Sequence, residues 1–369
     1  MAGERTEVVL YTDSGFEGGA EVALGGLARR LADSSPPEAV VIVGLEPSVV
    51  HRFTGQGVRG AVLAETGRLS WLKGLSAHRE LFRQADVVHV SMRTVTACKM
   101  ALLALWLTRR PTVIVHFQLP LFPCPTWRGR AVQSLLVRRA DTMVAAGYVP
   151  AREVERHLRL SPGRVQAAPN VVADSGPVRC RTGAHHATLE LVCLARFSKQ
   201  KRLDVLVEAM ALLPDHVRLT VIGDGVGLDQ LERLVHVKGV AERVTFEVDE
   251  FQGDARRRLD EFDVFVLSSD YEGSPLVIVE AMLASMPVVA THVGGIAELV
   301  RNGSTGFVVP RRAPAALAAA VRALDRPEVR AEMGRAGREL ALGEYVPGSR
   351  GDVLGRLHQT LLEDRHPCP

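Results

Sequence analysis

Short apolar runs of strand length alternate with longer amphipathic segments along almost the whole chain. In the first half these runs are rich in Val and Ile, and each gap between them is long enough for a helix. This alternation is typical of parallel strands joined by helical crossovers, and it predicts an α/β fold. We expect first-half strands at Val8 to Tyr11, Val40 to Gly44, Asp86 to Val90, Thr112 to His116, Thr142 to Ala145 and Val165 to Ala167.

The pattern stops at residues 173–187, where Gly, Pro and Ser accumulate without apolar periodicity, and this stretch is interpreted as a linker. A second series of alternating runs follows, so we predict an N-terminal domain over 1–172, a C-terminal domain over 188–345 and an amphipathic helix within 346–369. A chain of 369 residues is long enough for two separate cores. The second-half strands are predicted at Leu189 to Leu194, Arg218 to Ile222, Val244 to Glu247, Asp263 to Leu267, Val288 to Thr291 and Gly306 to Val309.

Charge and cysteine content exclude several classes of protein. Lys and Arg total 45 against 42 Asp and Glu, and this near balance does not suggest a nucleic-acid partner. The cysteines are odd in number, scattered and without a C-x-x-C pair, which argues against a disulfide framework or a thiolate metal site. Cys180, His185 and His186 are too few ligands for a metal. The five cysteines are Cys98, Cys124, Cys180, Cys193 and Cys368.

The chain shows no signal-peptide pattern, because Met1 leads through charged residues directly into a strand. The longest apolar run, Met100 to Leu107, is far too short to cross a membrane and predicts a buried helix. Together with the cysteine pattern this predicts a cytoplasmic protein, with peripheral association at the inner membrane face as the alternative. The Ala- and Arg-rich stretch from Ala313 to Leu342 predicts two exposed helices.

Two glutamates flank the most informative segment, "EGSPLVIVE". The preceding strand ends at Leu267, so residues 268–274 lie at a strand carboxyl end, where open α/β sheets bind ligands. Ser274 is expected to cap a helix whose first residue is Pro275, and a helix N-terminus is a suitable seat for phosphate. In a helix, eight residues would separate the carboxylates by about 12 Å, which suits the two ends of one long ligand.

Both glutamates have a structural alternative. The helix Leu276 to Leu283 is apolar on nearly every face and is expected to be buried, so Glu280 needs a partner and could form an internal salt bridge. Glu272 could be a solvated loop residue.

The stretch "EGSPLVIVEAMLASMPVVA" resembles the E-x7-E signature of the retaining glycosyltransferases of family 4, which have the GT-B fold. Upstream, "LARFSKQKRLDVLVEAM" resembles that family's diphosphate segment, with Arg196 and Lys201 as its two cations; the alternative is a solvated basic turn. The Gly223-Asp224-Gly225 turn is similar to the family's G-D-G turn. In the first domain, Gly18 and Gly19 would let backbone amides approach a phosphate, or form an ordinary glycine-rich turn.

Three positions depart from the family pattern. Arg202 and Ser285 stand where the family usually has Gly, and Val171 follows Asn170 where Gly is common. If Ser285 takes a left-handed conformation at the helix end, it accepts a backbone strain that Gly would avoid.

The resemblance implies two Rossmann-like domains facing across a cleft, with the final helix packing back on the first domain. The first domain would bind the acceptor and the second a nucleotide sugar. Glu272 would hold hydroxyls of the transferred sugar, Glu280 would hold the ribose, and the backbone from Gly273 through Ser274 and Pro275 to Leu276 would lie near sugar and phosphate. His116 would lie near the sugar as a catalytic residue, although a lone His after an apolar strand is more often structural.

The implied reaction moves a hexose-type sugar from a nucleotide diphosphate donor to an acceptor hydroxyl with retention of configuration. A UDP-sugar is favoured and a GDP-sugar is the alternative. No D-x-D occurs, so no metal or other cofactor is expected. The acceptor is expected to be a glycan, a lipid-linked sugar or a small natural product, met in part by residues 118–140. The competing interpretations are a non-catalytic nucleotide-sugar-binding subunit and a sugar-nucleotide epimerase of the same fold.

Overall fold

The computed structural model describes residues 7–15, 18–33, 39–55, 57–63, 70–119, 126–174, 176, 187–248 and 258–363. The chain forms two units: unit 1 comprises Met1–Asn170 with Val353–Pro369, and unit 2 comprises Val171–Asp352. Most of the expected linker at 173–187 lies outside the described residues, as do Cys124, Cys180, His185, His186 and Cys368.

Unit 1 is built on a seven-stranded parallel sheet of order β3-β2-β1-β4-β5-β6-β7. Val and Ile fill these strands because branched side chains pack well on a pleated surface that is covered on both faces. The order reverses direction between β1 and β4, as in doubly wound folds. The strands are β1 Glu7–Thr12, β2 Ala39–Gly44, β3 Val58–Val62, β4 Val87–Met92, β5 Thr112–Phe117, β6 Thr142–Ala145 and β7 Val165–Ala167.

Helices cover both faces of this sheet. One face packs against α1, α2 and the C-terminal helix α13, and the other packs against α3 to α6. Because α13 belongs to unit 1 although it ends the chain, the polypeptide returns to its first sheet. The helices are α1 Gly19–Ala32, α2 Pro47–Arg52, α3 Ser70–Gln84, α4 Lys99–Leu107, α5 Trp127–Val137, α6 Tyr148–Leu158 and α13 Val353–Glu363.

Unit 2 repeats the design with a six-stranded parallel sheet of order β10-β9-β8-β11-β12-β13. Its strands are β8 Leu189–Leu194, β9 Val217–Gly223, β10 Val244–Val248, β11 Val264–Leu267, β12 Val288–Thr291 and β13 Gly306–Val309. Its helices are α7 Leu203–Met210, α8 Leu228–Val237, α9 Leu276–Leu283, α10 Ile296–Leu299, α11 Pro314–Ala323 and α12 Pro327–Glu344, with a short 3-10 helix at Ala241–Arg243. Two Rossmann-like sheets of the α/β class are therefore confirmed.

Four sequence expectations need correction. The edge strand β3 was not predicted, because Arg59 and Gly60 interrupt its apolar pattern and most of its residues are exposed. The run at α4 is buried on one side only, since Leu103, Trp106 and Leu107 are exposed. The Ala- and Arg-rich helices α11 and α12 each bury one face, including Leu317 and Leu340.

The fourth correction concerns the start of α9. The cap residue is Pro275, whose extended ψ of 117° places it outside the helix, so Ser274 is not the cap and Pro275 is not the first helical residue. Among the described residues, no helix is both long and apolar enough to cross a membrane.

Candidate functional site

Two loops of unit 2 meet at the carboxyl ends of β8 and β11, which are neighbouring parallel strands. The Ser268 hydroxyl donates to the carbonyl oxygens of Lys201 and Arg202, both at 2.9 Å. The Asp270 amide donates to the Gln200 carbonyl at 2.8 Å, and the Gln200 side chain donates to the Tyr271 carbonyl at 2.9 Å. The two charged motifs of the sequence, whose Lys201 and Glu272 are 71 residues apart in the chain, are thus part of one site.

Lys201 and Glu272 form an ion pair at the centre of this site. The Lys201 Nζ lies 2.6 Å from the Glu272 Oε1, and the Ser269 hydroxyl donates to the same oxygen at 2.6 Å. Glu272 is only 5% exposed, so it is not a solvated loop residue. Lys201 is not part of a freely solvated basic turn either. A ligand that reaches this strand end would meet an ammonium and a carboxylate at one point.

A third loop, after β12, packs against the backbone of Glu272 and Gly273. Gly294 has a φ of +50°, and a Cβ at this position would lie 1.7 Å from the Glu272 carbonyl oxygen. The Gly295 amide donates to the Gly273 carbonyl at 3.0 Å, and the Thr291 hydroxyl donates to the Ser269 carbonyl at 2.6 Å. This pair of glycines was not predicted, although "VGG" one residue after a buried strand is a signal for close backbone approach.

Helix α9 begins at this loop and offers its amino end to the site. Ser274 and Leu276 are both buried, and Pro275 has no N–H, so the backbone amides at this end of the helix belong to the residues on either side of it. The helix is apolar and buried, as predicted. Glu280 lies in its second turn and is partly buried. The two glutamates therefore lie on one continuous segment, one before the helix and one within it.

Arg196 is placed by the G-D-G turn. The Phe197 amide donates to the Asp224 carbonyl at 2.5 Å, and the Gly227 amide donates to the Phe197 carbonyl at 3.1 Å. Gly225 has a φ of +130°, and a Cβ there would lie 2.9 Å from the Phe197 carbonyl oxygen. The glycine therefore allows the turn to hold the backbone beside Arg196, which is itself partly exposed.

Arg202 starts a second charged network that the sequence did not reveal. It has a φ of +48° and donates to the Asp204 carboxylate at 2.7 Å, while its other branch lies 3.4 Å from Asp270. Arg312 also pairs with Asp270, at 2.7 Å. Hydrogen bonds from Arg312 and then Arg202 lower the Asp270 pKa, and the Arg202 hydrogen bond lowers that of Asp204. These pairs join the loops after β8, β11 and β13.

In unit 1 the predicted glycine loop follows β1. Gly18 is the extended cap residue of α1, and Gly19 is the first residue of the helix. Glu21, in the first turn, is 2% exposed, and its burial raises the pKa of its carboxyl group, although the Ser14 hydroxyl hydrogen-bonds to it. Sequence reasoning missed this buried carboxylate, because an acidic residue in a first helical turn is ordinary.

His116 lies in β5, fully buried between the sheet and α13. The Gln118 side-chain amide donates to its Nδ1 at 3.2 Å, and Asn170 donates to the Gln118 oxygen at 3.3 Å. Because the Gln118 amide donates to Nδ1, the proton of the His116 ring lies on Nε2. That nitrogen has no hydrogen-bond partner among the described residues. Burial, followed by the effect of His358, lowers the pKa of His116 to about 3, so the ring is neutral.

Two further histidines pack beside His116. The rings of His89 and His358 are stacked with centroids 5.3 Å apart, and His89 Nδ1 lies 3.0 Å from His358 Nε2. The His89 and His116 centroids are 5.5 Å apart. Burial, with smaller effects of His358 and His116, holds the pKa of His89 well below its usual value. His358 was not predicted, since it arrives from α13, 269 residues along the chain from His89.

A cavity of about 450 Å³ in unit 1 lies far from these strand ends. Trp106, Arg110, Arg139 and Asp141 contribute to its lining near the amino end of β5. Arg139 uses its guanidinium to bind the carbonyls of Leu105 and Pro111 and the Asp141 carboxylate. This cavity is therefore held by structural hydrogen bonds at the edge opposite to the one where open sheets bind ligands.

Comparison with known proteins matches these features to one family. The family model described as glycosyl transferases group 1 matches residues 181–340. The chain is 30% identical over 270 residues to an alpha-D-kanosaminyltransferase of Streptomyces kanamyceticus, covering 69% of this chain and 68% of the relative. A GDP-mannose-dependent alpha-(1-6)-phosphatidylinositol monomannoside mannosyltransferase of Mycobacterium tuberculosis is 35% identical over 167 residues, covering 42% of this chain and 43% of that one.

Among solved structures, that of Anabaena HepE in complex with UDP-glucose is similar to the present chain. The TM-score is 0.82 at 18% identity, and the match covers 99% of this chain and 100% of HepE. At this identity the likeness concerns the fold.

Proposed function

Because this chain belongs to the glycosyl transferases group 1 family, we propose that it moves a hexose-type sugar from a nucleotide diphosphate donor to an acceptor hydroxyl, with retention of configuration. The observation that carries the proposal is the contact of 2.6 Å between Lys201 and Glu272. It joins the expected diphosphate segment to the first glutamate of the expected E-x7-E pair. On this proposal the site would be that of a retaining glycosyltransferase of family 4.

The donor would lie across the carboxyl ends of β8 and β11. Its diphosphate is dianionic or nearly so and would take Lys201 and Arg196 as cations, together with the amides beside Pro275 at the start of α9. Lys201 would then exchange Glu272 for the phosphate oxygens. Glu272 would become available to the sugar hydroxyls, while Glu280 would hold the ribose.

Stabilisation of charge in the transition state and positioning of the reactants would accelerate the sugar transfer. As the glycosidic bond loosens, positive charge develops on the sugar and negative charge on the leaving diphosphate. Glu272 would stabilise the first charge, and Arg196 and Lys201 the second. The leaving diphosphate itself can take the proton of the acceptor, so no metal is required. His116 is neutral and fully buried, so it would contribute through its hydrogen bond with Gln118 rather than as a cation that contacts the sugar.

A UDP-sugar is the favoured donor, and a GDP-sugar is the alternative. HepE was solved with UDP-glucose, and the mycobacterial mannosyltransferase uses GDP-mannose, so both bases occur among similar proteins. The acceptor would be a glycan, a lipid-linked sugar or a small natural product. The phosphatidylinositol monomannoside mannosyltransferase is named for a lipid acceptor, whereas the kanosaminyltransferase is named for the sugar that it transfers.

The deciding experiment measures nucleotide release from UDP-glucose, GDP-mannose and related donors, with and without acceptors from each class. We expect release that depends on an acceptor, a product whose anomeric configuration is that of the donor by NMR, and undiminished turnover in excess chelator. Glu272→Gln should abolish most of this release. Glu339→Gln, on the exposed side of α12, is the matched control and should leave it unchanged.

Two results would contradict the proposal. Donor binding without turnover, with every acceptor and donor, would indicate a nucleotide-sugar-binding subunit. Conversion of the donor to its epimer without an acceptor would indicate an epimerase. Loss of turnover in chelator, restored by Mg²⁺ or Mn²⁺, would remove the metal-independent mechanism alone.

A further inference from the structure

All three tryptophans of the chain lie on one helix layer of unit 1. Trp71 is in α3, Trp106 in α4 and Trp127 in α5, and they are 55%, 38% and 73% exposed. Large indole rings are normally well buried, and their exposure on neighbouring helices is unusual for a surface that faces only water.

The same helices expose aliphatic side chains between the indoles. Adjacent helices are joined, since Trp106 Nε1 donates to the Leu136 carbonyl at 3.0 Å and Arg139 Nε donates to the Leu105 carbonyl at 3.1 Å. The outward side of α3, α4 and α5 is here called the tryptophan face. Its aliphatic residues, each 37% to 57% exposed, are Leu72, Leu103, Leu107, Val132 and Leu135.

The tryptophan face is also strongly basic. Residues 70–84, 99–110 and 127–139 contain ten Lys or Arg and one acidic residue, Glu80, whereas the rest of the chain holds 35 Lys or Arg and 41 Asp or Glu. The Arg128 guanidinium lies 5.5 Å from the centre of the Trp127 ring, so one cation and one indole are presented together. Seven of these ten cations are exposed, so positive charge is concentrated on the helices that carry the exposed indoles.

We propose that the tryptophan face docks on the surface of an anionic phospholipid bilayer. Indoles prefer the boundary between headgroups and acyl chains, where their apolar body and polar N–H are both satisfied. Lys and Arg beside them bind lipid phosphates while their alkyl stems cover apolar surface. A second copy of the chain fits less well, because two equally basic faces repel each other. A nucleic acid would leave the aliphatic side chains unused. The inference does not depend on sugar transfer.

The test is binding of the full chain to unilamellar vesicles of phosphatidylcholine with and without phosphatidylglycerol. We expect co-sedimentation with the anionic vesicles alone, weakened by salt. Because every tryptophan lies on this face, intrinsic emission should shift to shorter wavelength when the indoles leave water. Absence of both signals at low salt would overturn the proposal.

Charge-reversal variants distinguish binding through the tryptophan face from general electrostatic attraction between the protein and the vesicle. Lys73→Glu with Arg128→Glu should weaken vesicle partitioning by at least about 30-fold, from about 1 kcal/mol per lost cation together with new repulsion. Both positions are exposed and near helix starts, where glutamate is compatible with the helix dipole. The control reverses two exposed arginines, the cap residue of α12 and one within that helix, as Arg326→Glu with Arg335→Glu, and should have a far smaller effect. Equal losses in both variants would contradict a defined face.

The apolar part of the face has its own test. Trp71→Ser with Trp127→Ser should weaken partitioning by about tenfold or more, because buried apolar area is lost. Val226→Ser with Val237→Ser, both highly exposed in unit 2, is the control. Lipid-independent dimerisation by light scattering, removed by the tryptophan substitutions, would assign the face to a second copy instead. Equal or tighter binding to duplex RNA or DNA would assign it to nucleic acid.

Discussion

The strand-end site of unit 2 and the buried histidine cluster of unit 1 differ in the charge of their polar side chains. In unit 2, Lys201 and Glu272 form an ion pair, and the Ser269 hydroxyl hydrogen-bonds to the same carboxylate oxygen. In unit 1, His89 and His116 are fully buried beside His358, and burial keeps the first two neutral. The first arrangement suits a ligand that carries charge, and the second suits a hydrogen-bond donor in a dry environment. The predictions below test this contrast.

The largest expected effect is on catalysis by unit 2. Glu272→Gln should lower kcat by about 10² to 10³-fold, because an amide cannot stabilise the positive charge that develops on the sugar. Its free nucleotide affinity should be nearly intact. Glu280→Gln should instead raise the donor KM and weaken free nucleotide, since a ribose contact acts equally before and during reaction. Calorimetry beside steady-state kinetics of both variants gives the answer.

The opposite result would reverse the assignment of the two glutamates. That result is a Glu272→Gln variant that no longer binds nucleotide, together with a Glu280→Gln variant that binds normally and only turns over slowly. Glu339→Gln serves as the control for both measurements.

Lys201→Ala should weaken nucleotide binding by roughly 1.5 to 3 kcal/mol, the cost of one charged hydrogen bond. The variant should also be less stable, because the buried Glu272 carboxylate would lose its cation. In the double variant Lys201→Ala with Glu272→Gln the loss of stability should be smaller than in Lys201→Ala, since no buried charge remains unpaired. Thermal unfolding of the four proteins measures this coupling. Additive effects, or unchanged nucleotide affinity in a folded Lys201→Ala protein, would contradict the ion pair's role.

In unit 1 the neutral histidines should make stability depend on pH. Their folded pKa values lie below the unfolded value of about 6.5, so their contribution is complete above that pH and is lost as pH falls towards about 3 for His116. At pH 5.5 the neutral, buried His116 should cost about 1.4 kcal/mol of stability, and His89 should act in the same direction. Asp204 and Asp270, whose pKa values are lowered, affect stability only below about 3.8. Between pH 6.5 and 4 a loss of stability on acidification therefore has the sign of the buried histidines, because the raised pKa of Glu21 acts in the opposite direction.

Tryptophan fluorescence isolates this effect, because all three tryptophans are in unit 1. Urea unfolding followed by their emission should give lower stability at pH 5.5 than at pH 7.5, with a smaller difference in His89→Gln. A His89→Gln protein with the full pH dependence would show that the buried cluster is not its source.

The sequence predicted most of the fold because local patterns carry it. All twelve expected strands are present, most of them on buried runs of Val, Ile and Leu that two covered sheet faces require. Two of them, expected at Asp86 to Val90 and Asp263 to Leu267, begin one residue later than predicted. Strand β3 was not predicted, because an edge strand needs no continuous apolar run. Ser274 was wrongly predicted as the cap of α9, because the position of that cap depends on the backbone angle of Pro275. The position of a strand along the sequence was therefore predictable where both of its faces are buried.

The contacts within each site were less predictable than its members. The motifs named Lys201 and Glu272, but nothing local shows that residues 71 apart touch. His358 joins His89 only because α13 returns to the first sheet. Gly294 packs against the backbone of Glu272, and a glycine has no side chain from which such a contact could be predicted. Tertiary packing decides each of these.

The smallest expected effect compares two positions where this chain departs from the family's usual glycine. Ser285 and Arg202 both have positive φ, 58° and 48°, so each carries a backbone cost of about 1 to 2 kcal/mol that glycine would remove. Ser285→Gly should therefore stabilise unit 2 by about 1 kcal/mol, less some added freedom of the unfolded chain.

Arg202→Gly should give no such gain, because it also removes the ion pairs with Asp204 and Asp270 that hold the loops after β8 and β11 together. Arg202→Lys keeps the strained backbone and the charge but loses the forked contact, and it should be less stable than either glycine variant. Calorimetric unfolding of the three proteins orders them. An equal gain from both glycine substitutions would mean that the pairs of Arg202 contribute nothing and that its place beside the Lys201–Glu272 contact is incidental.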